Sequence, residues 1–254
     1  MTFAIAVAGK GGSGKTSIAS LIIRYLKNNR SGAILAVDAD ANANLGDGLG
    51  LKAAKTIGAI IAAFNEEKIN IPPGMTKEAY LEIRLNEAIV ESPRLDMITM
   101  GRGEGPACYC YPNAMLRHFI DRLADNYSYI VLDNEAGLEH LSRRTTQNID
   151  RLFLITDHSI KGVRTIARIV ELIEELKLKV KKQSVVINFV PGAVDSHITE
   201  ELKRLMLEPA ALVPVDEQIR KYDLEQKPLL ELPDSSAAVR AVGELMDRVL
   251  NDSQ

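Results

Sequence analysis

The chain has 254 residues, 46% of them hydrophobic, enough to bury a full core in one large domain spanning 1–254. A formal net charge of -3 argues against general affinity for nucleic acid or anionic membrane, and two cysteines cannot supply a disulfide framework. No apolar run reaches the roughly 20 residues of a spanning helix, and the first residues run into a strand without a cleavable leader, so a cytoplasmic location is expected.

The chain opens on Phe3 to Ala8, an apolar run with the length of a buried strand. Ser17 to Lys27 then spaces Ile18, Leu21, Ile22 and Leu26 along one helical face. Between them lies Gly9-Lys10-Gly11-Gly12-Ser13-Gly14-Lys15-Thr16, continued by Ser17. Glycines let backbone N–H groups converge on phosphate oxygens, and the helix N-terminus adds positive potential. Lys15 can reach β- and γ-phosphates, and the Thr16 hydroxyl can ligate Mg²⁺. Gly9, Gly11 and Gly14 also satisfy the spacing of a dinucleotide turn, with Asp38 standing where a ribose ligand is needed. The Lys15-Thr16 pair decides between the two, because a dinucleotide pyrophosphate needs neither residue and a magnesium triphosphate needs both.

Ala33 to Val37 is a second strand, ending in Asp38-Ala39-Asp40 and a polar loop through Asn42, Asn44 and Gly46. Carboxylates at the C-terminal end of a parallel strand emerge where the phosphate loop opens; ordinary turn chemistry is the alternative. Thr56 to Phe64 and Thr76 to Ile89 read as helices, although Leu85 to Val90 reads equally as a strand. Leu95 to Met100 is a strand, and the Gly- and Pro-rich stretch from Gly101 to Pro106 places Cys108 and Cys110 on a loop. Asn113 then suits the N-cap of a helix from Ala114 to Ala124. Tyr129 to Leu132 followed by Asp133 is the apolar strand and terminal carboxylate of a magnesium site. Beyond it, Gly137 can offer its N–H to a γ-phosphate or simply turn the chain before a helix over Glu139 to Gln147.

Strands at Arg151 to Thr156, Ser184 to Val190 and Ala211 to Val215 alternate with helices at Lys161 to Lys177, Thr199 to Met206 and Ala237 to Leu250. Such alternation predicts an α/β fold with a doubly wound, mostly parallel sheet of the P-loop NTPase type. The lysines of Lys177 to Lys182 read as a solvated helix end.

Lys10, directly after the first glycine, gives K-G-G-S-G-K-T, which resembles the deviant Walker A ATPases, the group that includes MinD, ParA and the nitrogenase iron protein. That resemblance implies a homodimer in which Lys10 reaches the partner's nucleotide, with Lys15 and Asp40 as the other catalytic residues. It also implies that Asp38 and Asp133 stand near the magnesium, that Asn188 contacts adenine, and that Pro214-Val215-Asp216 forms a second adenine loop. Asn188-Phe189-Val190-Pro191 lacks the lysine and aspartate of a guanine box, which favours ATP over GTP.

Within the group, GEGPACYC (Gly103 to Cys110) and DNEAGLEHLSRR (Asp133 to Arg144) resemble the CooC family of nickel-insertion ATPases that mature carbon monoxide dehydrogenase. This implies metal binding at Cys108 and Cys110 and carbon monoxide dehydrogenase as client. By their own chemistry, two thiolates one residue apart supply half of a four-coordinate site for Zn²⁺, Ni²⁺ or an iron-sulfur cluster, and a second chain supplies the rest. A redox pair or two idle thiols remain alternatives. So do two other functions, an iron-sulfur scaffold ATPase and a MinD- or ParA-like positioning ATPase. The last wants a basic, detachable terminal helix, whereas Ala238, Val242, Leu245, Met246 and Val249 form a stripe facing the core; no membrane or nucleic-acid partner is expected.

Overall fold

A computed structural model describes residues 2–40, 42–66, 71–101, 119, 121–134 and 149–251. Its apolar runs become seven strands: β1 (Phe3–Gly9), β2 (Ile34–Ala39), β3 (Leu95–Thr99), β4 (Tyr129–Asn134), β5 (Ile149–Asp157), β6 (Val180–Val190) and β7 (Pro209–Pro214). They form one sheet in the order β3-β2-β4-β1-β5-β6-β7, with every pairing parallel. Parallel neighbours need crossover connections, and helices supply them. Numbered among the described residues, these are α1 (Lys15–Asn29), α2 (Leu45–Leu49), α3 (Ile57–Glu66), α4 (Lys77–Asn86), α5 (Ile160–Glu175), α6 (Ser196–Arg204), α7 (Glu217–Leu224) and α8 (Ala237–Asn251).

Helices cover both faces, which is why the central strands run apolar until their C-terminal ends. Ile5 and Val7 of β1 enter one core with Ile18, Leu21, Ile22 and Leu26 of α1 and the Ala238, Val242, Leu245, Met246 and Val249 stripe of α8. Ala6 and Ala8 enter the other with Ile57, Ile60 and Phe64 of α3, Leu81 and Leu85 of α4, and Ile166 and Ile169 of α5. Each such large side chain contributes about 1.5–3 kcal/mol by leaving water. A third, smaller cluster joins Ile187 and Val190 of β6 to Ile198 and Leu202 of α6.

Several boundaries depart from the sequence reading. The helix expected to run to Lys177 ends at Glu175, and Lys177 turns the chain at φ 50°. The Lys177 to Lys182 run is therefore not a helix end: β6 starts at Val180, and Lys181 pairs with Asp150 at 2.5 Å. The ambiguous Leu85 to Val90 is helical to Asn86, after which Val90 makes an isolated antiparallel bridge to Met97. Cys108, Cys110, Asn113, Gly137 and the helix expected over 139–147 lie outside the described residues. Among the described residues no helix is long and apolar enough to cross a membrane.

β1 is where the winding reverses. The chain leaves it toward β2 on one side, and the path from β4 crosses over it to β5 on the other. A crevice opens at the C-terminal ends of strands at such a point, and the glycine-rich loop occupies it.

Candidate functional site

The loop is built around close backbone approaches. A side chain on Gly9 would place its Cβ 2.0 Å from the Ile155 carbonyl oxygen, so only glycine lets β1 pass into the loop beside β5. Gly14 sits at φ 83°, and a Cβ there would lie 2.4 Å from Nδ2 of Asn188. The Lys10 carbonyl holds the loop closed by accepting from the Ser13 N–H at 3.3 Å, the Ser13 hydroxyl at 2.8 Å and the Lys15 ammonium at 3.3 Å. The Ser13 hydroxyl also reaches the Ile155 carbonyl at 3.1 Å, tying the loop to β5. α1 then starts at Lys15 with no side-chain cap and no acidic residue in its first turn. Its leading N–H groups and positive dipole end are thereby left for an anion.

Two buried carboxylates stand beside this loop, because β2 and β4 pair with Asp38 opposite Asp133 and β4 and β1 pair with Asp133 opposite Val7. Asp38 accepts from the Leu45 N–H at 3.0 Å and the Asp40 N–H at 3.2 Å, so it shapes the loop that follows β2. Burial pushes its pKa up to about 6, against those two backbone bonds. Asp133 is 1% exposed, and among the described residues no hydrogen bond of normal geometry satisfies either of its oxygens. Burial raises its pKa to about 7, with the nearby Thr16 hydroxyl opposing the rise and Asp38 adding to it. Carboxylate oxygens buried without a donor are costly. A hard divalent cation held jointly by Asp133 and the Thr16 hydroxyl fits this donor set. Asp40, by contrast, is only part-buried and accepts from the Asn42 N–H at 2.8 Å.

The two raised pKa values imply a pH dependence of the nucleotide-free chain. Folded, Asp38 and Asp133 keep protons up to about pH 6 and 7; unfolded, they release them near 3.8, the ordinary value of the side chain. Between those limits the folded state binds more protons, so stability is greatest at the acid end and falls as pH rises through the window. The urea midpoint should drop between pH 5 and pH 7.5, and Asp133→Asn should flatten that drop. A midpoint that rises over the same interval contradicts the assignment.

On the other side of the loop, β5 and β6 end with Asp157 opposite Asn188. The Lys10 ammonium pairs with the Asp157 carboxylate at 2.5 Å, and the Ser159 hydroxyl donates to the same carboxylate at 2.7 Å. Burial acts to raise the Asp157 pKa, but Lys10 and Ser159 outweigh it and hold the group below the usual carboxylate range. Asn188 is buried, donating to the Ser13 carbonyl at 3.0 Å while its oxygen accepts the Phe189 N–H at 2.9 Å. Pro214 ends β7, and Val215 is exposed. Asp216 caps α7 through the Gln218 N–H and accepts from the Ser236 hydroxyl and the Ala238 N–H.

The fold thus gathers Lys10, Ser13, Gly14, Lys15, Thr16, Asp38, Asp133 and Asn188 at one edge of the sheet. It adds Asp157, which the sequence reading passed over although it follows an apolar run as Asp133 does. Among the described residues no three His, Cys, Asp or Glu side chains cluster as a metal site, and Cys108 and Cys110 are not among them.

Comparison with known proteins places this site in context. Residues 4–229 match the family model described as the CobQ/CobB/MinD/ParA nucleotide binding domain. An uncharacterized ATP-binding protein of Methanocaldococcus jannaschii is 43% identical over 97% of this chain and 98% of its own length. The carbon monoxide dehydrogenase accessory protein CooC of Rhodospirillum rubrum is 26% identical over 69% of this chain and 70% of its own. Among solved structures, the septum site-determining protein MinD of Pyrococcus horikoshii, complexed with Mg-ADP, superposes with a TM-score of 0.71 at 19% identity, covering 100% of this chain and 98% of that one. The phosphate loop at the sheet's switch point, the paired carboxylates beside it and the family match together make the chain an ATPase belonging to the CobQ/CobB/MinD/ParA nucleotide-binding family.

Proposed function

We propose that this ATPase is a metallochaperone: ATP closes two copies into a dimer, Cys108 and Cys110 of both copies share a nickel or zinc ion, and hydrolysis releases nickel toward carbon monoxide dehydrogenase. The observation that carries the nucleotide-driven closure is the position of Lys10. Its ammonium stands at the loop with 27% of the side chain exposed and, among the described residues, is held by Asp157, which is itself 27% exposed. A half-exposed ion pair of this kind is worth little. Exchanging Asp157 for a partner's phosphate oxygens gains charge-assisted hydrogen bonds that exist only in the closed dimer. The metal half of the reading is supported by the C-x-C spacing and by the similarity to CooC.

In this reading Lys15 and the leading N–H groups of α1, with Gly11, Gly12 and Ser17 around them, bind the phosphates. Thr16 and Asp133 hold Mg²⁺, which when bound offsets charge on the β- and γ-phosphates. Asp38 positions the loop after β2, and Asp40, the only one of the three aspartates with solvent access, orients the attacking water. Asn188 and Gly137 complete the nucleotide contacts.

Lys10→Ala should bind ATP as the parent does but not associate on adding it. Light scattering with and without a non-hydrolysable ATP analogue checks this; association equal to the parent's removes Lys10 from the interface. A positioning role like that of MinD is the other reading, favoured by the likeness in fold. Against it, the apolar stripe of α8 packs into the main core and is not free to enter a membrane.

A further inference from the structure

The turn after β5 and the loop after β6 are joined by one imidazole. The turn is fixed from within: the Ser159 N–H donates to the Asp157 carbonyl at 2.8 Å, and the Ser159 hydroxyl donates to the Asp157 carboxylate at 2.7 Å while accepting the Gly162 N–H at 3.0 Å as the cap of α5. His158, between these two residues, reaches across to the start of α6, where its Nε2 lies 3.1 Å from the Asp195 backbone nitrogen. A backbone N–H can only donate, so Nε2 is the accepting nitrogen and the proton of the neutral ring sits on Nδ1.

Asp195 uses its other groups within α6. Its carboxylate accepts the His197 N–H at 2.8 Å as the N-cap and stands 3.0 Å from His197 Nδ1. Its carbonyl accepts the Thr199 N–H at 3.0 Å and the Thr199 hydroxyl at 3.1 Å. His158 takes the remaining N–H and so ties the start of α6 to the turn that carries Asp157, the partner of Lys10. At the other end of the loop, Asn188 donates to the Ser13 carbonyl and accepts the N–H of Phe189, which is held left-handed at φ 59°. The stretch between is thus pinned at both ends beside the phosphate loop, with Pro191, Gly192 and Ala193 exposed.

One of these two pins depends on charge. Histidine is the side chain that gains and loses a proton between about pH 5 and 8, and an imidazolium carries N–H on both nitrogens and accepts nothing. Among the described residues, the charged and titratable groups around His158 are the Asp195 carboxylate and His197 at the start of α6, and Asp157 with Lys10 on its own side. Once protonated, Nε2 meets the Asp195 N–H donor to donor, and the ring is drawn to the Asp195 carboxylate instead. His197 responds in the opposite sense, because its protonated Nδ1 donates to that carboxylate.

We infer that His158 is a proton-operated latch: neutral, it holds the loop between β6 and α6 against the turn beside Lys10; protonated, it releases that end and leaves Asn188 as the loop's tie to the phosphate loop.

The test is nuclear magnetic resonance on the full, nucleotide-free chain from about pH 8 down to about pH 5. At the alkaline end, long-range ¹H–¹⁵N spectra should show His158 with its proton on Nδ1. Protection of the Asp195 amide from hydrogen exchange, taken relative to the intrinsic rate at each pH, should fall about fivefold as His158 takes up its second proton, the scale of one net hydrogen bond. His158→Gln keeps an acceptor that no proton removes, so its protection should persist across the range. His158→Phe should start low and stay level. His197→Ala, which removes the neighbouring imidazole, should leave the fall in place. A His158 proton on Nε2 at the alkaline end, protection unchanged over the range, or the same fall in His158→Gln overturns the latch. Loss of the fall in His197→Ala also overturns it, by placing the switch at His197.

Discussion

Lys15→Ala should bind magnesium ATP at least about 100-fold more weakly than the parent, the scale of removing one preorganised donor from an oxyanion site. The lysine is 8% exposed and, among the described residues, its ammonium makes one long hydrogen bond, 3.3 Å, to the Lys10 carbonyl. That carbonyl keeps the Ser13 N–H and hydroxyl when Lys15 is removed, so the loop should hold its shape. The charge, by contrast, is not replaced by the neighbouring loop ammonium, since Lys10 is engaged with Asp157. Calorimetry gives the affinity, and a urea midpoint close to the parent's shows that the variant is folded. Parental ATP affinity in a folded Lys15→Ala would remove the triphosphate assignment.

Asp40→Ala should bind ATP normally and hydrolyse it about 10²- to 10⁴-fold more slowly, the range for a positioned acid-base group. Of the three aspartates at this edge, Asp38 is engaged by two backbone N–H groups and Asp133 is sealed from solvent. Asp40 is part-buried, and one of its oxygens takes the Asn42 N–H. Its remaining acceptor capacity is available to a water. Single-turnover measurements separate this from a binding defect, since chemistry should slow with no change in the saturating ATP concentration. A parental rate would shift the role to Asp38 or Asp133.

Much of this site is legible in the sequence because parallel strands buried on both faces read as apolar runs, and a carboxylate ending such a run must surface at the ligand edge. Asp38 and Asp133 both follow such runs. Asp157 obeys the same pattern after Leu154-Ile155-Thr156, but its meaning depends on Lys10, 147 residues away, meeting it through the β1 to β5 pairing. The left-handed backbone of Phe189 leaves no mark on residue type at all. Among the elements, α7 was invisible because it fully buries none of its residues and so carries little apolar period. α2 has five residues, two of them glycine. The start of β6 was masked by lysines that face solvent on a strand reaching past the core. The engagement of Asn188 with the loop, and of Asp216 with two helix starts, also needed the tertiary structure.

Metal and nucleotide should be linked if both favour the same closed dimer, and linkage then requires each to tighten the other by an equal factor. Each thiolate ligand must also lose its proton, so metal affinity should rise with pH. The decisive measurement is a titration of Ni²⁺ and of Zn²⁺ into oxygen-free protein, with and without a non-hydrolysable ATP analogue, beside a Cys108→Ala, Cys110→Ala double variant. One ion per two chains, held more tightly with the analogue and lost in the double variant, is the expected result. Metal bound equally well by the double variant, or one ion per chain indifferent to the analogue, would contradict it.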